Sequence, residues 1–325
     1  MNILLTNKCN RNCPYCFARE RISFENGEST KHKAPTNISL PDFQKAIAFA
    51  KKSRLREIGL LGGEPSMHPQ FMDLLHHAWE EGFRTKVFTN ALWRTDLLEE
   101  VKKASQKYVK QMGFIVNMNE PTRSPDGEHE RQYNLFRAVP GGCSLSFNIS
   151  VTDFDATFLV DVIRKFGIRK DIRLGVAQPL ADMPNEHVAV ADYHRMAPSL
   201  MRLAEACDAH DVRFGFDCGF TLCMFTPEEV GRLVLAGARF KSSCGPAIDV
   251  GTDLSLWACF PLSTFASGQR LEDFEDHRHI TRYFEKEYEQ LYRTGVLDEC
   301  MECRWRKRRQ CNGGCAAHVY RRFNP

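Results

Sequence analysis

Residues 2–16 read NILLTNKCNRNCPYC. The apolar run Ile3, Leu4 and Leu5 reads as a strand, and the loop after it carries Cys9, Cys13 and Cys16 in a C-x3-C-x2-C spacing. Three thiolates so close together can hold three corners of a cubane iron–sulfur cluster. The fourth iron then has no protein ligand, and it can bind and reductively cleave a small molecule. Zinc would need a fourth ligand to close a tetrahedral site. Three buried thiols without metal are the remaining alternative, and the density of cysteine favours the cluster.

That density runs through the chain, with 13 cysteines in 325 residues. A secreted disulfide scaffold would explain them in a short chain with a signal peptide. Here the chain is long, and no charged segment leads into an apolar stretch and a cleavage site. A cytoplasmic protein that uses thiols as ligands is the expectation. Hydrophobic residues make up 43% and charged residues 26%, an ordinary globular balance. No run of about eighteen apolar residues predicts a membrane span. The net charge of +3 gives no basis for a nucleic-acid partner.

Strand-like and helix-like segments alternate outward from the opening run. Strands are predicted at 2–6, 57–61, 84–89, 113–118, 145–151, 171–176 and 212–217. Helices are predicted at 40–53, 69–81, 95–105, 128–137, 156–166 and 192–209. The helical period shows in Phe43, Ile47 and Ala50, and again in Phe71, Leu74, Leu75 and Ala78. Six βα units with right-handed crossovers build a parallel sheet. The predicted fold is α/β: a partial (β/α)6 TIM-like barrel over residues 1–217. Ligands of such sheets bind at the carboxyl ends of the strands. After about residue 238 the alternation stops, and the last 87 residues hold Cys244, Cys259, Cys300, Cys303, Cys311 and Cys315. Residues 218–325 therefore read as a small cysteine-rich domain organised by metal.

The second strand runs into LLGGEPSMHP, residues 60–69. The triplet after the first strand and GGEP after the second resemble the radical SAM superfamily, over about residues 1–217. The resemblance implies that Cys9, Cys13 and Cys16 hold a [4Fe–4S] cluster whose open iron is chelated by S-adenosylmethionine. Tyr15 matches the aromatic position beside the adenine. Gly62, Gly63 and Glu64 meet the methionyl amine, and Pro65 closes that segment. Asn148, Ser150 and Arg173 match positions that contact ribose or carboxylate. Asn90 reads equally as such a position or as an ordinary strand-capping residue. An electron from a donor such as flavodoxin or ferredoxin would then cleave S-adenosylmethionine to methionine and a 5′-deoxyadenosyl radical, which abstracts hydrogen from substrate.

The C-terminal cysteines resemble the SPASM extension of that superfamily, which carries two auxiliary [4Fe–4S] clusters, or its shorter twitch-like form with one. Three departures stand out. The gap from Cys303 to Cys311 is x7 where x5 is usual, Leu254 stands where glycine is usual, and no cysteine follows Cys315. The resemblance assigns Cys244, Cys259 and Cys315 to the first auxiliary cluster, with Cys223 or Cys218 as its fourth ligand. Cys300, Cys303 and Cys311 are left with an incomplete second set, completed by His318, by water or by nothing. Zinc on Cys300, Cys303, Cys311 and Cys315 is a further alternative. Cys218 or Cys223 is also a candidate hydrogen donor to a substrate radical. Cys143 and Cys207 read as structural.

Relatives with this layout modify peptides by crosslinking, epimerisation or oxidation, and others act on sugars or cyclitols. A peptide substrate is the favoured expectation and a small molecule the alternative. With a strand already at residue 2, peptide recognition is expected from a separate partner protein or from the barrel itself. RWRKRR, residues 304–309, raises RNA modification as a distant rival. It reads better as a solvated face or as charge that balances cluster thiolates. A non-catalytic cluster or zinc protein is the last alternative.

Overall fold

Strand β1 (Asn2–Thr6) is buried from Ile3 to Thr6, as a central strand covered on both faces must be. The computed structural model describes residues 1–24, 34–241, 244, 245 and 247–324. Two short strands, β2 (Lys8–Cys9) and β3 (Ser23–Phe24), pair in parallel and clasp the cysteine loop between them.

The alternation then proceeds through α1 (Leu40–Lys52), β4 (Glu57–Gly62), α2 (Phe71–Glu80), β5 (Arg84–Thr89) and α3 (Thr95–Tyr108). It continues through β6 (Phe114–Asn117), α4 (Glu128–Ala138), β7 (Cys143–Ile149), α5 (Phe158–Phe166), β8 (Asp171–Val176), α6 (Ala197–Ala209) and β9 (Arg213–Phe216). Each predicted strand and helix is present within a few residues of its expected limits. The largest shift is at α6, expected from residue 192. A 3-10 turn occupies Val190–Met196, and the α-helix begins at Ala197 with a proline in its first turn. Proline is tolerated there because its missing N–H has no helical partner to lose.

The sheet does not stop at residue 217. Helix α7 (Pro227–Leu235) leads to β10 (Arg239–Phe240), which pairs in parallel with β9 at one edge. At the other side β11 (Ile248–Val250) lies parallel to β1, and β12 (Ser255–Ala258) and β13 (Gln269–Arg270) follow antiparallel. The open eleven-stranded order is β10-β9-β8-β7-β6-β5-β4-β1-β11-β12-β13. Helices α8 (His277–Glu287), α9 (Glu289–Thr294), α10 (Arg304–Lys307) and α11 (Ala316–Phe323) complete the chain. Ile248, Leu256, Ile280, Phe284 and Tyr288 join the same core as the barrel helices. The C-terminal segment thus contributes apolar packing as well as cysteines.

The β11–β12 turn explains why glycine is usual at position 254. Leu254 has φ +65°, in the left-handed region. Its side chain is buried in the core and its N–H reaches the Gly251 carbonyl at 3.0 Å.

Strands β7 and β8 show how the barrel keeps its interior for a ligand. Cys143, Leu145, Phe147 and Ile149 are buried, whereas the alternate residues Ser144, Ser146 and Asn148 are partly accessible. In β8 Ile172, Leu174 and Val176 are buried and Arg173 alternates with them. Ser146, Asn148, Arg173 and Gly175 line one cavity at the carboxyl ends of these strands.

Candidate active site

Backbone pairing presses the GGEP segment onto the cysteine loop. Gly63 N–H donates to the Thr6 carbonyl at 2.9 Å and Glu64 N–H to the Lys8 carbonyl at 2.8 Å. A Cβ at Gly63 would stand 2.2 Å from the Lys8 oxygen and 2.8 Å from Cys9 Cβ. A Cβ at Gly62 would stand 2.6 Å from the Thr6 oxygen. The two glycines are therefore needed to seat the thiolate loop, besides the cofactor approach expected of them. The loop itself turns tightly, with Cys16 N–H on the Cys13 carbonyl at 3.1 Å.

Glu64 is fully buried and its carboxylate is satisfied by the protein. Oε1 accepts from Thr89 Oγ1 at 2.7 Å and Ser66 Oγ at 2.8 Å, and Oε2 accepts from Asn90 N–H at 2.7 Å. This side chain fastens the end of β4 to the end of β5. Asn90 in turn donates to Asn10 Oδ1 at 2.8 Å, within the cysteine loop. Pro65 opens a 3-10 turn, Pro65–Met67, behind this junction.

Three asparagines hold Tyr15. Asn148 Nδ2 donates to Asn117 Oδ1 at 2.8 Å, Asn117 Nδ2 donates to Tyr15 Oη at 2.9 Å, and Tyr15 Oη donates to Asn119 Oδ1. Gly175, opposite Asn148 in the register, leaves room for it, since a Cβ there would stand 2.6 Å from Asn148 Oδ1. Asn117 and Asn119 carry no cysteine or glycine signature, and nothing in the sequence marks them. Arg11 is equally unmarked, although it sits inside CNRNC. It forms a buried ion pair with Glu128 at 2.6 Å.

A cavity of about 330 Å3 gathers most of the expected residues. Cys9, Cys13, Cys16, Tyr15, Gly62, Gly63, Asn90, Asn148 and Arg173 line it. Cys218, Cys244, Cys259 and Cys315 line the same cavity. Asp217 accepts from Arg173 Nε at 2.9 Å, so a negative and a positive group stand together on the wall. Ser150 lies outside this cavity. It borders a smaller neighbouring pocket with Tyr15 and Asn148, and its hydroxyl bonds the Glu186 carboxylate, which Arg123 also binds. Gln178 also lines the main cavity, with a buried Oε1 that has no hydrogen-bond partner.

Cys223 does not line the cavity, so the geometry gives no support to its expected role as hydrogen donor. His318 turns to Tyr193 Oη at 3.2 Å and packs edge-on against the His187 ring. It therefore stands with Tyr193 and His187. Cys143 and Cys207 are fully buried in the core, with no part in either group.

Burial pushes the cavity thiols upward. Cys16 and Cys218 are each raised to about 12, chiefly by desolvation. Cys13 is raised by the same cause, with Arg11 pulling the other way. Thiols with such values keep their protons until a metal centre displaces them. Among the described residues, no three His, Cys, Asp or Glu side chains converge closely enough to hold a single metal ion. A cubane has a wider demand, because its thiolates bind separate irons at the corners of a cube. Three soft donors on a glycine-seated loop, opening into a mostly apolar cavity with Asn148, Arg173 and Asp217 on its wall, fit a [4Fe–4S] cluster with one iron left for a second ligand.

Fold and site together define an α/β partial barrel with a thiolate loop at the mouth of its cavity. Residues 3–114 match the sequence pattern of the radical SAM superfamily. Over 91 residues it is 31% identical to the S-adenosylmethionine-dependent nucleotide dehydratase of Selenomonas ruminantium, a match that covers 28% of this chain and 29% of that protein. The matched stretch is under a third of the length of the curated relatives. Native anSMEcpe with bound AdoMet has the same fold, with a TM-score of 0.65 over 97% of this chain and 88% of that one, at 16% identity. Streptococcus suis SuiB bound to precursor peptide SuiA gives 0.64 over 97% and 71%, at 14% identity. No helix among the described residues is long and apolar enough to cross a membrane.

Proposed function

We propose that this chain is a radical S-adenosylmethionine enzyme that takes a hydrogen atom from a peptide substrate. The observation that carries the reading is the single cavity lined both by Cys9, Cys13 and Cys16 and by Gly62, Gly63, Asn148 and Arg173. When bound, the cluster and S-adenosylmethionine supply a primary carbon radical strong enough for an unactivated C–H bond. The chain's own residues do the rest. Gly62 and Gly63 hold the thiolate loop in register. Tyr15, fixed by Asn117 and Asn119, offers its ring to the adenine. Arg173 offers a cation to the carboxylate, and the buried walls keep water from the reacting carbon. Cys218, Cys244, Cys259 and Cys315 form the first auxiliary cluster site, facing the substrate space.

A peptide is favoured because SuiB, of the same fold, is bound to a precursor peptide. A small-molecule substrate is the second reading, favoured by the nucleotide named in the curated relative. The chain is expected to work in the cytoplasm with a low-potential electron donor. Anaerobic loading with iron and sulfide, followed by dithionite and S-adenosylmethionine, is expected to yield 5′-deoxyadenosine. Its absence from the loaded protein sinks the enzyme reading. Deuterium transferred into 5′-deoxyadenosine from a labelled peptide supports the peptide, and transfer only from a labelled nucleotide or sugar overturns it.

A further inference from the structure

We propose that Cys223 completes a second four-thiolate cluster site with Cys300, Cys303 and Cys311. The proposal rests on the iron–sulfur reading above. It supplies the fourth ligand to Cys300, Cys303 and Cys311 from the end of the barrel.

Gly295, Gly313 and Gly314 have φ values of +82°, +92° and +89°. A Cβ at Gly295 would stand 2.6 Å from Cys300 Cβ and 3.0 Å from its sulfur. A Cβ at Gly313 would stand 2.8 Å from the Gly295 Cα. The two backbones meet there, joined by Val296 N–H on the Gly313 carbonyl at 2.8 Å, and Gly313 N–H donates to Cys311 Sγ at 3.4 Å. The fold thus brings Cys300 and Cys311 to one place by removing side chains between them. Cys303 follows Cys300 by one short turn.

The barrel enters at Gly314. A Cβ at Gly314 would stand 3.2 Å from Thr221 Cγ2. Thr221 immediately precedes the 3-10 turn Leu222–Met224, so Cys223 is carried to the same place. Gly314 directly follows Gly313, whose N–H donates to Cys311 Sγ, so the turn that carries Cys223 packs against the segment that carries Cys311. Cys218, Cys244, Cys259 and Cys315 sort the other way, since they line the main cavity, which Cys223, Cys300, Cys303 and Cys311 do not. Two sets of four result, and neither shares a member with the other.

Charge and access agree. Arg306 reaches the carbonyls of Tyr292 and Thr294 at 3.0 and 2.8 Å, wrapping the segment before Cys300. The basic run at 304–309 lies in sequence between Cys303 and Cys311, whose sulfurs must be thiolates to bind iron. Cys223 is exposed, so iron and sulfide can reach it.

The test uses the full chain with Cys9, Cys13 and Cys16 replaced by alanine, loaded anaerobically with iron and sulfide. Two auxiliary clusters predict about eight irons per chain. Adding Cys223→Ala is expected to lower iron by about half, or to leave a cluster that loses one iron on mild oxidation and shows a three-iron paramagnetic signal. Cys223→Ala placed on Cys300→Ala is expected to change nothing further, because both break one site. Cys218→Ala placed on Cys300→Ala is expected to remove the remaining iron. Because Cys223 is exposed, its replacement is expected to leave the far-ultraviolet dichroism unchanged. If iron, spectrum and oxidation behaviour are the same with and without Cys223, the proposal fails. Zinc bound in place of iron at these four residues also overturns it. A parent that takes up no iron at all defeats the underlying cluster reading instead.

Discussion

Asn2 Nδ2 donates to Asp249 Oδ1 at 2.7 Å, joining the first strand of the barrel to the first strand of the C-terminal segment across 247 positions. Asp249 is almost fully buried, and desolvation raises its carboxyl to about 7, against the opposing pull of Asn2 and the N-terminal amine. Between about pH 4 and 7 the folded chain keeps a proton that the unfolded chain has released. Stability from this residue is complete below about pH 4 and is lost as pH rises through 7. Asp249→Asn has no proton to lose. Relative to this variant, wild-type stability is expected to fall by up to a few kcal/mol from pH 4 to 8, at about 1.4 kcal/mol per pKa unit. Denaturant unfolding of both chains across that range measures the difference. A constant difference would show that Asp249 does not titrate there.

Arg11 and Glu128 make a different kind of buried pair. Their side chains are 8% and 4% exposed, and Arg11 lies two residues from both Cys9 and Cys13. Removing one partner strands a charge in the interior, which costs about 3–5 kcal/mol where a surface pair would cost under about 1. Glu128→Ala is expected to lose about 3 kcal/mol in denaturant unfolding. A loss below about 1 kcal/mol would mean that water reaches the guanidinium.

The barrel was legible because its strands and helices announce themselves by period. The triplet and GGEP were legible because their residue types are rare and closely spaced. Asn117, Asn119, Arg11 and Glu128 were not, because their meaning comes from contacts between distant strands and helices. Strand β11 escaped because three residues, one of them the buried Asp249, carry no alternation. The grouping of Cys218 and Cys223 escaped for a related reason. They are five positions apart, yet Cys218 lines the main cavity and Cys223 does not.

Gly63 tests the seat of the thiolate loop. A methyl group there meets backbone oxygen at 2.2 Å, which no side-chain rotation relieves. Gly63→Ala is expected to push the Cys9 loop away from β4 while the helices stay folded. After anaerobic loading the variant should lack most of the iron of the first cluster, about a third of a three-cluster total. Iron analysis with a far-ultraviolet dichroism control checks this. Full iron in a folded variant would show that the loop can yield.

Leu254 sets two magnitudes against each other. Its left-handed backbone costs about 1–2 kcal/mol for a residue with a Cβ, and glycine would relieve that cost. Its side chain is only 4% exposed and packed in the shared core. Truncating a buried leucine costs about 2–5 kcal/mol, and glycine adds about another 1 through the entropy of the unfolded chain. Packing and chain entropy together outweigh the backbone strain, so leucine is favoured. Leu254→Gly, the substitution that restores the usual residue at this turn, is expected to destabilise the protein by about 1–5 kcal/mol in denaturant unfolding. A gain in stability would mean that the strain at this turn outweighs the packing beneath it.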